Sequence, residues 1–334
     1  MNIINVKSVI KYRLKRYFPK IIWLFVANLN KHRKNKKYSE CRKKFGKLNK
    51  ELHIYVIRRR PPGGGLFSNV NHVLQGLIYS EDNQMCPVVD MENYITEYSS
   101  IRGFNGKRNA WEYFFSPVSK IELKEAYRSK NVTLSEGDRI LKNHLMSGRN
   151  ISYVTNKDFL KKVHLIYNKY IKLNQFTNSY IQYIYNFCEL DKNNTLGVFL
   201  RGRDYLENPT GHPIQPKIKT VIKDISSYLE EKPINKIFLS TDDEEIRESL
   251  VVKFGDLVTQ SIRSDAKTEL AKHLRDKFKI PSGTIARNIS YLSEIYILSE
   301  LSYNIASLSN GSAIMHVLNG NKFRDNLLYY YGVN

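Results

Sequence analysis

The stretch TLGVFLRGRDY at residues 195–205 combines an apolar run with an abrupt charged end. The apolar run is typical of a strand that is buried on both faces of a parallel sheet. Two arginines and an aspartate follow at once, where such a strand would leave the core. Because ligands of open α/β sheets bind beyond the carboxyl ends of the strands, this segment predicts both a fold class and the place of a functional site.

The rest of the C-terminal half repeats this alternation of strand and helix. A helical pattern follows at 216–231, and the strand pattern at 236–243 ends in two aspartates. The alternation continues to residue 320. It predicts a doubly wound, Rossmann-like α/β domain at 191–334. The loops expected at its ligand-binding edge are 201–212, 240–245 and 307–312.

The N-terminal half contains a similar strand, loop and helix. ELHIYVIRRR at 51–60 is rich in β-branched and aromatic residues, and two prolines and three glycines follow it. Apolar residues recur at helical spacing over 69–81, and CPVVDM at 86–91 is a short strand pattern that ends in an acid. We therefore expect an N-terminal Rossmann-like domain at 51–190, which the long helical tract at 159–190 completes.

The positive charge is concentrated near the N-terminus. The chain has a net charge of +21, of which residues 1–60 carry +17. A nucleic-acid-binding protein spreads its basic residues over a folded face, so this distribution argues against nucleic acid as a partner. We expect a basic amphipathic extension at 1–50, and Arg58 to Arg60 group with it. The remainder of the chain is close to electrical balance.

The apolar run IIWLFVA at 21–27 within this extension is too short to span a membrane. Two interpretations of the extension stay open. It lies on an anionic membrane surface, as basic amphipathic segments do, or it is a solvated basic arm with a short apolar docking patch.

Three widely spaced cysteines form no metal-binding or disulfide pattern, which is typical of a reducing compartment. They predict a cytoplasmic protein, placed at the inner face of the plasma membrane if the extension binds lipid.

Arg201, Arg203 and Asp204 leave the strand where a ligand would lie. An arginine fork matches the oxygens of a phosphate or diphosphate, and a neighbouring carboxylate can orient the arginine or bind a sugar hydroxyl. The alternative is a surface Arg–Asp pair that caps a turn. The rigid, proline-containing loop that follows favours a functional role.

Two further loops contain polar residues at strand ends. Asp242 and Asp243 could attract a divalent cation, but Thr241 or Asp242 at a strand-to-helix junction is an ordinary helix cap, so we expect no metal. SLSNGS at 307–312 offers hydroxyls and the N–H groups of a helix N-terminus. It predicts either an anion site or simple helix capping.

The glycine-rich loop is not a Walker-type phosphate loop, because no G-x-x-x-x-G-K-[ST] pattern is present. Gly63, Gly65 and Ser68 approximate the dinucleotide pattern G-x-G-x-x-G, and Asp90 follows 25 residues after Gly65. An NAD(P)-dependent oxidoreductase therefore stays open as an alternative function. A non-catalytic basic adaptor for membranes or nucleic acid is a second alternative.

Two of these segments resemble the fucosyltransferases of the GT-B type, which include protein O-fucosyltransferases and α-1,6-fucosyltransferases. GLFSNVNH at 65–72 looks like their G-x-F-G-N-Q segment, with Ser68 in place of a glycine. VFLRGRDY at 198–205 looks like their H-x-R-x-x-D signature, with Phe199 in place of the histidine.

Two later segments extend the resemblance. IFLSTDDEEI at 237–246 is similar to the family's strand that ends in Thr-Asp-Asp, and residues 293–318 are similar to its last strand and serine-rich loop. The match keeps its order over residues 63–318. It implies a GT-B-like α/β fold in which two Rossmann-like, doubly wound domains face a cleft.

The resemblance also implies a donor and roles for individual residues. The donor would be GDP-fucose, transferred with inversion to a glycan or lipid-linked glycan of a growing surface polysaccharide, without an essential metal or a separate cofactor. Arg201 would hold the diphosphate, and Glu207 would take the proton of the acceptor hydroxyl. The other residues implied in donor binding are Gly65, Ser68, Asn69, His72, Arg203, Asp204, Thr241, Asp242, Asp243, Ser307, Ser309, Asn310 and Gly311.

Overall fold

A computed structural model describes residues 41–59, 64–94, 96–135, 155–202 and 212–332. Helices and two sheets with mainly parallel strands confirm the predicted α/β class. The chain divides into two compact units. Among the described residues, the first unit comprises those up to residue 135 and Lys169–Asn174. The second comprises residues 155–168 and those from Gln175 onward.

The strands of the described residues are β1 (Cys41–Lys43), β2 (Leu48–Ile57), β3 (Cys86–Val89), β4 (Ser129–Leu134), β5 (Thr195–Leu200), β6 (Lys236–Thr241), β7 (Val258–Gln260), β8 (Tyr303–Ser307) and β9 (Asp325–Tyr329).

The α-helices of the same residues are α1 (Leu66–Asp82), α2 (Leu123–Ala126), α3 (Lys157–Tyr170), α4 (Gln175–Phe187), α5 (Ile218–Glu231), α6 (Glu244–Phe254), α7 (Glu269–Phe278), α8 (Thr284–Glu300) and α9 (Asn310–Asn319). None of these helices is both long enough and apolar enough to cross a bilayer.

The sheet of the first unit has the strand order β1-β4-β2-β3. Strand β2 pairs in parallel with β3 and β4, whereas β1 pairs antiparallel with β4 at the edge. Residues 41–50, expected to belong to the basic extension, therefore contribute β1 and the start of β2. The sequence did not show β1 because a three-residue charged edge strand has no apolar alternation.

Helix α1 packs closely on β2. Val70, Val73, Leu74 and Leu77 are fully buried, at the spacing that places them on one helix face. A Cβ atom at Gly76 would lie 2.9 Å from side-chain atoms of Ile57, so only glycine allows this close approach. The packing brings the N-terminus of α1 to the carboxyl end of β2.

The sheet of the second unit is parallel, with the order β7-β6-β5-β8-β9. Side chains at alternate positions of β5 pack on opposite faces of the sheet. Leu196 and Val198 join the apolar cluster that contains Val221 of α5, whereas Phe199 stacks on Tyr291 of α8. After β7 the chain returns to β8 on the opposite side of β5, so the strand order reverses between β5 and β8.

The helices α3 and α4 belong mainly to the second unit. The division between the two units therefore does not fall at residue 190, where the sequence predicted it. Tyr167 of α3 lies 2.7 Å from Tyr296 of α8 between their hydroxyl oxygens, and Tyr180 of α4 lies 3.4 Å from Ser290. Most of this tract thus packs on α8 in the second unit. Helical periodicity reveals an apolar face but not the partner that covers it.

Candidate active site

Arg201 occupies the point of the five-stranded sheet where the strand order reverses. It follows β5 directly, and its backbone N–H donates to Oγ of Ser307, the last residue of β8, at 3.0 Å. In open α/β sheets, ligands bind beyond the carboxyl ends of the strands at this reversal. The structure therefore places Arg201 and Ser307 together at the edge of the second unit where the sequence predicted a ligand.

The side chain of Arg201 is held by Asp242. Nη1 of Arg201 lies 3.0 Å from Oδ2 of Asp242, and both side chains are largely buried. The other carboxylate oxygen, Oδ1, accepts the backbone N–H of Gly202 at 2.9 Å. The guanidinium also lies over the ring of Tyr291, at 5.8 Å from its centroid. These contacts orient Arg201 before any ligand binds.

Asp243 and Thr241 have a different role from Asp242. Asp243 is the N-cap of α6, and its carboxylate accepts the N–H of Ile246 at 3.0 Å. Thr241 accepts the N–H of Asp243 through Oγ1 at 3.2 Å. The capping role expected for Thr241 or Asp242 thus falls to Asp243, because Asp242 contacts Arg201 and Gly202.

The serine loop after β8 begins α9 with a reciprocal cap. Oγ of Ser309 accepts the N–H groups of Gly311 and Ser312, and Oγ of Ser312 accepts the N–H of Ser309 at 2.8 Å. A Cβ atom at Gly311 would lie 2.3 Å from the hydroxyl oxygen of Tyr291, so the loop lies directly on that side chain. Asn310 is half-buried in the first turn. Helix capping is therefore present, and donor binding by this loop stays a prediction.

Three functional candidates were missed in the sequence. Tyr291 contacts Phe199, Arg201 and Gly311, and Glu294 and Arg263 form a charged cluster beside β6 and β7. A helical apolar pattern hides Tyr291 and Glu294 because both lie within the largely buried helix α8, where Glu294 is buried and Tyr291 is half-buried. Arg263 follows β7, and its position at a strand end was the one local signal available.

The glycine loop of the first unit holds an arginine. Nη1 of Arg59 donates to Oγ of Ser68 at 2.9 Å and to Oδ1 of Asn69 at 3.0 Å. Nδ2 of the fully buried Asn69 donates to the carbonyl of Gly64 at 2.6 Å. Arg59 is thus part of the glycine loop, which corrects its grouping with the basic extension.

Arg58 and His72 fix the end of β2. Nε of Arg58 donates to the carbonyl of Ser135 at 2.8 Å, and Nε2 of the buried His72 donates to the carbonyl of Arg58 at 3.1 Å. Gly65 is the N-cap of α1, and a Cβ atom there would meet nothing within 4 Å in the described part of the chain. The predicted residues Gly65, Ser68, Asn69 and His72 therefore lie together in the first unit.

Three residues of the predicted site, Arg203, Asp204 and Glu207, lie outside the described residues. Their proposed roles stay predictions.

This chain is similar to solved fucosyltransferases. Fucosyltransferase NodZ from Bradyrhizobium has 15% identity and a TM-score of 0.45, over 80% of this chain and 93% of that chain. POFUT1 in complex with GDP-fucose has 11% identity and a TM-score of 0.46, over 86% and 100%. Arabidopsis thaliana FUT1, as a mutant in complex with GDP, has 12% identity and a TM-score of 0.44, over 81% and 70%.

These structures belong to the class that the sequence motifs resemble. No protein-family model matches the sequence. No curated protein matches it.

Asp90 is not arranged to bind a ribose, which weighs against the dinucleotide alternative. Its fully buried carboxylate accepts from the hydroxyl of Tyr127, from the backbone and side chain of Asn93, and from the N–H of Glu92. Burial raises the pKa of Asp90, and the hydrogen bonds from Tyr127 and Asn93 oppose that rise. The acid therefore organises its own loop. In a dinucleotide site it would accept a ribose hydroxyl.

No group of three or more His, Cys, Asp or Glu side chains in the described ranges could hold a metal ion. This finding covers Asp242 and Asp243, whose oxygens contact Arg201, Gly202 and the start of α6.

Proposed function

We propose that this chain is an inverting glycosyltransferase that moves fucose, or a related sugar, from a GDP-sugar to a glycan acceptor. The observation that carries the proposal is Arg201 at the β5–β8 reversal, fixed by Asp242 and Ser307. A preorientated guanidinium at that place suits the oxygens of a diphosphate. The motif resemblance, which keeps its order along the chain, supplies the donor class.

The chemistry requires charge stabilisation on the leaving group. The acceptor oxygen forms a bond to the anomeric carbon while the bond from that carbon to the diphosphate oxygen breaks, and GDP leaves with the electron pair. Arg201 would neutralise the charge that develops on the diphosphate. Because Asp242 and Tyr291 already fix its side chain, little reorientation is needed during the reaction.

The proton of the acceptor hydroxyl needs a base, and we assign this role to Glu207, seven residues after the end of β5 in the sequence. A protein cation on the diphosphate lets the transfer proceed without an essential metal. The acceptor that we propose is a glycan or lipid-linked glycan of a surface polysaccharide. The basic residues of 1–40 would bring the protein to an anionic membrane surface at the cytoplasmic face, where such acceptors are held.

A ligand screen and one variant test the proposal. We expect GDP, but not NAD(H), to raise the melting temperature of the full chain, and we expect the wild type to release GDP from GDP-fucose, slowly with water and faster with an acceptor glycan. Arg201→Gln should lose measurable GDP binding in calorimetry. Tight GDP binding by Arg201→Gln would refute the diphosphate role. Stabilisation by NAD(H) alone would favour the oxidoreductase.

A further inference from the structure

A buried carboxylate joins the ends of two strands in the second unit. Glu294 of α8 is almost fully buried. Its Oε2 accepts from Oγ of Ser240 in β6 at 2.8 Å, and its Oε1 accepts from Oγ of Ser261 after β7 at 2.9 Å. Burying a carboxylate costs free energy unless it is hydrogen-bonded and paired, and such groups often serve positioning rather than stability.

The cation near this carboxylate is Arg263. Its Nη1 lies 3.8 Å from Oε1 of Glu294, and its Nε donates to Oδ1 of Asp265 at 3.3 Å. The side chain is 24% exposed. Within the described ranges, Nη2 has no acceptor partner. Two carboxylates therefore hold the guanidinium through Nη1 and Nε, and neither of these contacts uses Nη2.

Arg263 and Arg201 both follow the carboxyl ends of strands in the five-stranded sheet. The pKa of Arg263 is raised, mainly by the charge of Glu294, then by Asp265, and to a smaller extent by Asp242. Asp242 is the carboxylate that orients Arg201. Asp242 follows β6, so it lies at the strand end between β5, which precedes Arg201, and β7, which precedes Arg263.

The strand order assigns different parts of a nucleotide to these residues. In sheets of this type the diphosphate lies at the reversal point, and an acid at the end of the neighbouring strand binds the ribose. Here Arg201 follows β5 at the reversal, and Asp242 follows β6. The end of β7 is one strand further out, about 10 Å from β5 at the usual strand spacing. That position corresponds to the base.

We propose that Arg263 reads the base of the bound nucleotide, by donating from Nη1 and Nη2 to O6 and N7 of guanine, and that Glu294 and Asp265 are its positioning residues. The inference rests on the proposed function and names the part of its donor that decides specificity. Guanine presents two acceptors on this edge, which suits an arginine fork. Adenine presents a donor beside N7 and would be disfavoured.

Calorimetry on the full chain with GDP, IDP and ADP tests the proposal. IDP keeps O6 and N7 but lacks the exocyclic amine of guanine, so it isolates the edge that Arg263 would read. We expect the wild type to bind GDP and IDP about 10- to 100-fold more tightly than ADP. Arg263→Gln should lose this preference and leave ADP binding unchanged. Arg263→Lys keeps the charge without the fork and should lose the preference too.

The matched control is Arg287→Gln. Arg287 is 62% exposed and lies 3.5 Å from the same Asp265, so its loss removes an arginine charge nearby without touching Glu294. We expect the control to keep the wild-type preference. A loss of preference in Arg287→Gln equal to that in Arg263→Gln would overturn the specific role of Arg263.

Glu294→Gln separates positioning from a structural role. Glutamine keeps an oxygen and a nitrogen near Ser240 and Ser261 but removes the charge that faces Arg263. We expect Glu294→Gln to lower the preference for GDP over ADP. The double variant with Arg263→Gln and Glu294→Gln should have the same preference as Arg263→Gln alone. If Glu294 had only a structural role, Glu294→Gln would weaken the binding of all three nucleotides by the same factor. That result would overturn the positioning role.

The outcomes also separate this inference from the proposed function. A wild type that binds GDP and ADP equally, or an Arg263→Gln variant that keeps the preference, would overturn base reading and leave the diphosphate role of Arg201 in place. A wild type that binds no nucleoside diphosphate would overturn the proposed function and this inference together.

Discussion

Asp242 contacts Arg201 and the residue after it with its two oxygens: Oδ2 lies 3.0 Å from Nη1 of Arg201, and Oδ1 accepts the N–H of Gly202 at 2.9 Å. One carboxylate thereby fixes both the guanidinium and the backbone that carries it. Gly202 is required at this point, because a Cβ atom there would lie 2.0 Å from Cβ of Asp243. The first two residues after β5 and the start of α6 are consequently held together at the candidate site.

Asp242→Asn should lower turnover with GDP-fucose by about tenfold, because the amide keeps an acceptor for Gly202 but loses the ion pair that orients Arg201. The effect should appear in kcat more than in KM, since the loss of orientation affects the transition state most. Steady-state release of GDP measures both constants. Asp256→Asn removes an exposed acid elsewhere in the second unit and should leave both unchanged. Equal kinetics for Asp242→Asn and the wild type would contradict the orienting role.

Deleting residues 1–40 should abolish binding to anionic vesicles while GDP binding is retained. The deletion removes eleven lysines or arginines and Glu40, and it leaves β1, which pairs with β4 from Cys41 onward. Attraction to an anionic surface depends on these charges and weakens with salt. Co-sedimentation with anionic and neutral vesicles, at low and high salt, gives the measurement. Unchanged sedimentation of the truncated chain with anionic vesicles would contradict the membrane role.

His316 should make the stability of the protein fall in mild acid. Burial lowers the pKa of this side chain from 6.5 to about 4. Between these two values the unfolded chain binds a proton that the folded chain does not, so the free energy of unfolding decreases as the pH falls from 6.5 to 4. The difference in pKa corresponds to roughly 3 kcal/mol.

His316→Leu should remove this contribution. The free energy of unfolding of the variant, measured with urea between pH 7 and pH 4, should fall less than that of the wild type by up to about 3 kcal/mol. His273→Leu changes an exposed histidine and should keep the wild-type pH dependence. Parallel pH curves for His316→Leu and the wild type would show that His316 does not cause the acid sensitivity.

The sequence predicted the second unit well because its central strands β5, β6 and β8 are almost entirely buried. The predicted strand and helix at 236–243 and 216–231 correspond to β6 and α5, since apolar runs and helical periodicity are local signals. Helix α7 was missed because its pattern is strongly charged. Strand β1 and the partner of α4 depended on pairing between residues far apart in the chain.

The sequence by itself showed which strands are followed by charged or polar residues. It thereby placed Arg201, Asp242 and Ser307 among the candidates. Only the tertiary structure decided that Asp242 pairs with Arg201, and that Glu294 pairs with Arg263 beside the same edge of the sheet. The physical reason is that periodicity and capping depend on residues within a few positions, whereas these two contacts join residues about 40 and about 30 positions apart. Such contacts exist because the strand order brings their loops to one edge of the sheet.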